Sequence, residues 1–176
     1  MKVLILAFEL AAAMALVAQS PTAKTSSSPV ADAVRSWLER EAKNLTAAAE
    51  AMPADKYDFH PTPQQMTFAH LMTHITGSNR VMCSSLAGES EPKDSGVTDK
   101  DGKEKLLAEV KASFDYCSRA LAKVDDSKLD EELPVFRHTR AYVLMFLVAD
   151  LADHYSLAAS YLRLNGLLPP SAQPKK

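Results

Sequence analysis

Apolar residues recur at helical spacing in four segments of the chain, separated by polar or proline-rich connections. The first segment starts at Ser28, a candidate N-cap, with Pro29 at the first helical position, and ends at Met52. The second ends at Ala87-Gly88, a normal glycine stop. The third predicts a packed helical seam from six residues spaced three or four apart: Leu107, Val110, Phe114, Cys117, Leu121 and Val124.

A fourth helix is predicted to start near Thr139 and to end at Asn165, before Gly166 and two prolines. Its first half, AYVLMFLVA, is apolar on every side, which is typical of a helix buried against several neighbours. Residues 88–100 carry almost no apolar side chains and are long enough to run along a bundle. The pattern predicts an all-α fold, a four-helix bundle with a long crossover between helices 2 and 3.

The N-terminus has the order of a secretory signal peptide, with Lys2 before an apolar run from Val3 to Ala18. This run has 16 residues and contains Glu9, whereas a membrane-spanning helix needs about 20 apolar residues. We predict a signal peptide over 1–18, a flexible linker over 19–28, the bundle over 29–171 and a disordered tail over 172–176. The expected location is periplasmic or secreted, with no stable membrane insertion after cleavage.

Composition excludes one class of partner. The chain has 20 basic and 22 acidic residues, a net charge of −2 and no cluster of Lys or Arg, so the electrostatic footprint of a nucleic-acid binder is missing. No Gly-rich nucleotide-binding motif is present either. A small-molecule substrate and a homodimer remain compatible with the sequence.

The predicted fourth helix carries Asp150 and His154 directly after its apolar half. Four residues apart on a helix, they lie on one face, one turn from each other. A bound divalent metal would satisfy such a pair in apolar surroundings, and so would a hydrogen bond between the carboxylate and a neutral histidine. Tyr161, two turns further along the same face, is a candidate second-shell donor or a core residue with its hydroxyl at the edge.

Helix 2 offers a third ligand in His70 or His74, again four apart. On a helical wheel His74 lies on the shoulder of the apolar face and His70 lies towards the polar side, so His74 is expected to turn inwards and His70 to lie at the surface. His74, Asp150 and His154 would form a set of two histidines and one carboxylate that leaves coordination positions open.

The two cysteines, Cys83 in helix 2 and Cys117 in helix 3, fall on or near apolar faces and lack the spacing of a zinc site. In an exported protein they are compatible with a disulfide, and equally with two buried thiols that act as small apolar residues. The sequence leaves both interpretations open.

Two stretches resemble the DinB-like (DinB/YfiT-type) metalloenzyme superfamily: HYSLAASYLRLNGLLPPS at residues 154–171 and AAAEAMPADKYDFHPTPQQMTFAHLMTHI at residues 47–75. The resemblance covers about residues 30–171. It implies a four-helix bundle with a long crossover and a divalent metal held by one residue of helix 2 and two of helix 4, which by position are His74, Asp150 and His154. In many relatives all three ligands are histidines, so Asp150 is a departure, and Ser156-Leu157 replaces a frequent Gly-Gln pair.

The resemblance also implies an activity, that of a metal-dependent hydrolase or thiol-transferase with Zn²⁺, Ni²⁺ or Fe²⁺ as the cofactor. Export favours hydrolysis, because a cytosolic thiol cosubstrate would be absent outside the cytoplasm. The substrate is not predicted. The alternative is a non-catalytic exported binding module, in which the His/Asp trio is a structural polar network.

Overall fold

The computed structural model describes residues 27–174, so the predicted signal peptide and most of the predicted linker lie outside the described residues. Four long helices dominate it: α1 (Pro29–Ala51), α2 (Phe68–Ala87), α3 (Lys103–Leu121) and α4 (Arg140–Leu164). The smaller elements are 3₁₀ turns at Ala54–Lys56, Asp126–Lys128 and Pro170–Ala172 and a hairpin of β1 (Glu132–Leu133) and β2 (His138–Thr139). The predicted tail begins inside the last 3₁₀ turn.

The ends of the helices that carry the site follow local chemistry. The Thr67 side chain accepts a hydrogen bond from the amide of His70 at 3.0 Å and caps the start of α2. Thr139 caps α4 in the same way, through the amide of Tyr142. Helix α2 ends where Gly88 adopts a left-handed conformation with φ of 67°, which glycine tolerates better than any other residue.

Helices α2 and α3 run parallel to each other. The Asn79 side chain donates to Ser113 Oγ at 3.1 Å, and Cys83 is bonded to Cys117, so the contacts advance by four residues along both helices in the same direction. The chain leaving α2 must therefore return along the bundle before α3 starts. This confirms the predicted crossover and the all-α four-helix bundle.

Ion pairs hold the crossover, residues 88–102, against the bundle. Arg80 of α2 lies 3.6 Å from Glu91, 3.8 Å from Asp94 and 3.6 Å from Glu109 of α3. Because its guanidinium is largely buried, these charges are partly shielded from solvent. The crossover thus lies beside α2 instead of projecting into solvent.

The bundle core is built from the inward faces of all four helices, but α4 departs from the sequence-based expectation. Its apolar first half was expected to be buried on every side, whereas Tyr142, Met145 and Phe146 are 50%, 61% and 41% exposed. The expectation was wrong because α4 packs against α1 and α2 and leaves an outer face without a neighbouring helix. In residues 27–174, α4 is the one helix long and apolar enough to cross a membrane, a test that a core helix also passes.

Arg140, at the start of α4, ties the hairpin to the end of α2. It is 8% exposed, its guanidinium donates to the Leu86 carbonyl, and its Nη2 lies 2.6 Å from Glu131. We expect Arg140→Met to lower the free energy of unfolding by about 2 to 3 kcal/mol, since a buried carbonyl and a carboxylate lose their partner. Urea unfolding measures this. Arg137→Met, on the exposed turn of the hairpin, is the control and should change stability by less than about 0.5 kcal/mol.

Candidate metal centre

Helices α2 and α4 bring His74, Asp150 and His154 together. One ligand atom from each residue lies within 4.8 Å of the others, and the two imidazole rings are 4.8 Å apart between centroids. His154 is buried, Asp150 is half-buried and His74 reaches the surface. The trio therefore lies at the rim of the core, with one side open.

The orientation of His154 is fixed by its own helix. Its Nδ1 lies 2.6 Å from the backbone carbonyl of Asp150, so the neutral ring donates its Nδ1 proton there. The lone pair of Nε2 is then free to bind a cation. Metal-binding histidines commonly have this arrangement, because the second ring nitrogen sets the tautomer and the angle of the ring.

Asp150 has a buried oxygen that suits a cation. Its Oδ2 makes no hydrogen bond, and although Nδ1 of His154 is 3.4 Å away, the proton on that nitrogen is directed to the backbone carbonyl. A buried carboxylate oxygen without a partner is costly unless a positive charge satisfies it. Two imidazole nitrogens and one carboxylate oxygen are a donor set that fits Zn²⁺, Fe²⁺ or Ni²⁺ with open coordination positions.

The two histidines differ in their electrostatics. Burial and the neighbouring His154 lower the pKa of His74, and the charge of Asp150 only partly opposes this. Burial also disfavours the protonated form of His154, but the nearby carboxylate of Asp150 and the hydrogen bond to the Asp150 backbone carbonyl outweigh burial and raise the pKa. The trio thus places one readily neutral imidazole next to a second imidazole that is coupled to the carboxylate.

A cavity of about 520 Å³ opens beside the trio. His74 and Asp150 form part of its lining, and the remainder comes from α2, the hairpin and α4. Gly77 lines the cavity as well. The other lining side chains are four apolar ones, Val81, Met82, Phe136 and Phe146, and two with hydroxyls, Thr73 and Ser78. The volume falls within the range of small-molecule sites.

The other predicted site residues lie elsewhere. Tyr161 is fully buried, and its hydroxyl donates to the carbonyl of Met66 at 2.9 Å, so it supports the segment before α2 and not a member of the trio. His70 is exposed and lies 3.4 Å from Asp99 of the crossover. Cys83 and Cys117 form a disulfide with a Cα–Cα distance of 5.2 Å.

Apart from His74 and Asp150, none of the residues that line the cavity was predicted as a site residue from the sequence. Phe136 belongs to the hairpin, whose two-residue strands are too short to produce an alternating pattern. Gly77 and Phe146 had a usable signal, since Gly77 lies three residues after His74 and Phe146 lies four before Asp150, each on the face of a ligand.

The fold and the trio define a class of protein, four-helix bundles that could hold a divalent cation between the second and fourth helices. The chain belongs to the DinB superfamily, whose family model matches residues 38–158. This confirms the resemblance noted in the sequence. No curated protein matches the chain.

Solved structures with the same fold include a DinB-like protein (YjoA) from Bacillus subtilis, with a TM-score of 0.67 and 19% identity over 81% of this chain and 99% of that one. A conserved protein from Enterococcus faecalis has a TM-score of 0.60 and 16% identity over 77% of this chain and 96% of that one. At these identities the likeness establishes the fold alone.

Proposed function

We propose that this protein binds a divalent metal through His74, Asp150 and His154 and is an exported metal-dependent hydrolase. The observation that carries the proposal is the buried Oδ2 of Asp150, which makes no hydrogen bond although the residue belongs to a trio whose ligand atoms lie within 4.8 Å of one another. A cation would satisfy this oxygen and both ring nitrogens at once.

When bound, a divalent cation in an open three-ligand site supplies Lewis-acid activation of water or of a carbonyl group. The residues of the chain hold that position and shape access to it. His154 is held by the Asp150 carbonyl, His74 forms the exposed side, and the adjoining cavity offers room for a substrate. A thiol-transferase would use the same trio. We favour a hydrolase because the protein is proposed to be exported.

Two features support export. Residues 1–18 have the pattern of a signal peptide. The Cys83–Cys117 disulfide is the second, because structural disulfides persist in oxidising compartments such as the periplasm and the cell exterior. An extracellular location would separate the protein from cytosolic thiols, which favours water as the attacking group.

The metal content of the purified protein tests the proposal. We expect about one equivalent of divalent metal in the wild type and less than a tenth of that in His74→Ala and His154→Ala, because two protein ligands hold a cation poorly. His70→Ala is the matched control, since His70 lies one turn before His74 on α2 and outside the trio. Elemental analysis after dialysis gives the readout, and equal metal in all four proteins would refute the proposed site.

A second candidate function is a non-catalytic exported binding module. One observation favours it: His154 already donates to the Asp150 carbonyl, so the trio is partly satisfied as a polar network without a cation. A metal-free wild type whose melting temperature does not respond to added Zn²⁺, Ni²⁺ or Fe²⁺ would support this function over the first.

A further inference from the structure

The cavity beside the trio has a lining that distinguishes between classes of substrate. Val81, Met82, Phe136 and Phe146 give it an apolar wall, and its polar groups away from the trio are the hydroxyls of Thr73 and Ser78. Among the described residues that line it, none is Lys or Arg. A phosphate or carboxylate bound in the cavity would therefore lack a basic side chain, which proteins normally provide for such groups.

The one acidic group in the lining also disfavours anionic ligands. Asp150 contributes a carboxylate to the lining, and an anionic group of a ligand near the apolar wall would lose its hydration without gaining a partner. An uncharged chain or ring loses nothing comparable. Instead, it gains from the removal of its surface and that of two phenylalanine rings from water.

Gly77 leaves open space beside the trio. It lies on α2, one turn after His74, and a Cβ atom added there would meet nothing within 4 Å. The space next to His74 is therefore open. Phe136 of the hairpin and Phe146 of α4 line the same space. This places an apolar recess directly against the metal centre.

We infer that the cavity is the acyl- or aryl-binding pocket of the enzyme and that the substrate is an uncharged ester or amide with a medium-length apolar group. This inference rests on the proposed function for the position of the reacting bond, which lies at the trio while the apolar group occupies the recess. The volume of about 520 Å³ accommodates an eight-carbon chain.

Three amides test the pocket without reference to metal or turnover: octanamide, butanamide and suberic acid monoamide, which has the length of octanamide but ends in a carboxylate. Methionine-methyl NMR on the purified protein follows binding, because Met82 lines the cavity and Met145 does not. We expect octanamide to shift the Met82 methyl and to bind at least about tenfold more tightly than either other amide. The Met145 methyl should not move.

Gly77→Leu should occupy the space beside His74 and weaken octanamide binding about tenfold or more, with the metal content unchanged. Ser85→Leu is the matched control, because it adds the same side chain to α2 outside the cavity. If Gly77→Leu does not fold, Phe146→Ala takes its place, since it removes one apolar wall and should weaken octanamide binding at least about threefold. Its control is the neighbouring Met145→Ala.

The outcomes separate this inference from the proposed function. Equal binding of octanamide and the acidic amide, or no advantage of octanamide over butanamide, would overturn the apolar pocket even in a protein that retains its metal. Selective octanamide binding in a protein that holds no metal would instead support the pocket and overturn the hydrolase.

Discussion

Replacing Asp150 by Asn is expected to weaken binding of a divalent cation at least ~100-fold, because even the loss of a residue that only supports a ligand costs up to that factor. The substitution keeps the size of the side chain but removes the negative charge and one ligand oxygen. The hydrogen bond from His154 to the backbone carbonyl at position 150 does not involve the side chain and should persist. Competition with a chromophoric chelator measures the affinity.

The same substitution should have the opposite effect on the metal-free protein. With a chelator present, Asp150→Asn should be at least as stable as the wild type, because it removes a buried charged oxygen that lacks a partner. With metal at 100 times its dissociation constant, the wild type gains about 2.7 kcal/mol, or roughly 5 to 10 °C in melting temperature, and the variant gains almost nothing.

Asp153→Asn is the matched control, because Asp153 is an exposed carboxylate on the same turn of α4. It should leave both the affinity and the two melting temperatures unchanged. If Asp150→Asn binds metal as the wild type does, Asp150 is not a ligand. If the variant is less stable in chelator by more than about 2 kcal/mol, the trio acts as a structural network and the binding-module function is favoured.

The predictable part of this site is the part that lies within single helices. Asp150 and His154 share a face because four residues nearly complete a helical turn, and this follows from the spacing alone. Placing His74 beside them requires α2 and α4 to be neighbours in the bundle. The helical wheel selects His74 over His70, but no local pattern shows that the two helices are neighbours, and the family resemblance is what implies it.

The cavity could not be predicted because it depends on how far the start of α4 is buried and on the short turn of the hairpin. The apolar run at the start of α4 favours a core helix, yet an apolar side chain such as Phe146 suits a half-open cavity as well as a core. Phe136 reaches the same cavity from a hairpin whose strands are two residues each. The placement of Phe136 leaves no signal in the periodicity, and the spacing of Phe146 from Asp150 indicates a shared helix face but not an open cavity.

Breaking the disulfide should produce the largest loss of stability outside the metal centre. The bond joins Cys83 of α2 to Cys117 of α3, 34 residues apart, and closes a loop that contains the whole crossover. A loop of this length restricts the unfolded chain enough to stabilise the fold by about 3 to 4 kcal/mol. For a domain of this size, that corresponds to a fall of roughly 10 °C in melting temperature.

Since both cysteines are fully buried, reductant alone should act slowly on the folded protein, and the bond must be reduced in urea before refolding. Urea unfolding of the oxidised and reduced proteins then gives the difference in free energy. The control is Cys83→Ala/Cys117→Ala, whose transition should not respond to reductant. If oxidised and reduced wild type unfold at the same urea concentration, the packing of α2 against α3 already restrains the chain and the bond adds no stability. A large difference would mean that the stable form of the bundle is the one made in an oxidising compartment, the outcome that the proposed export predicts.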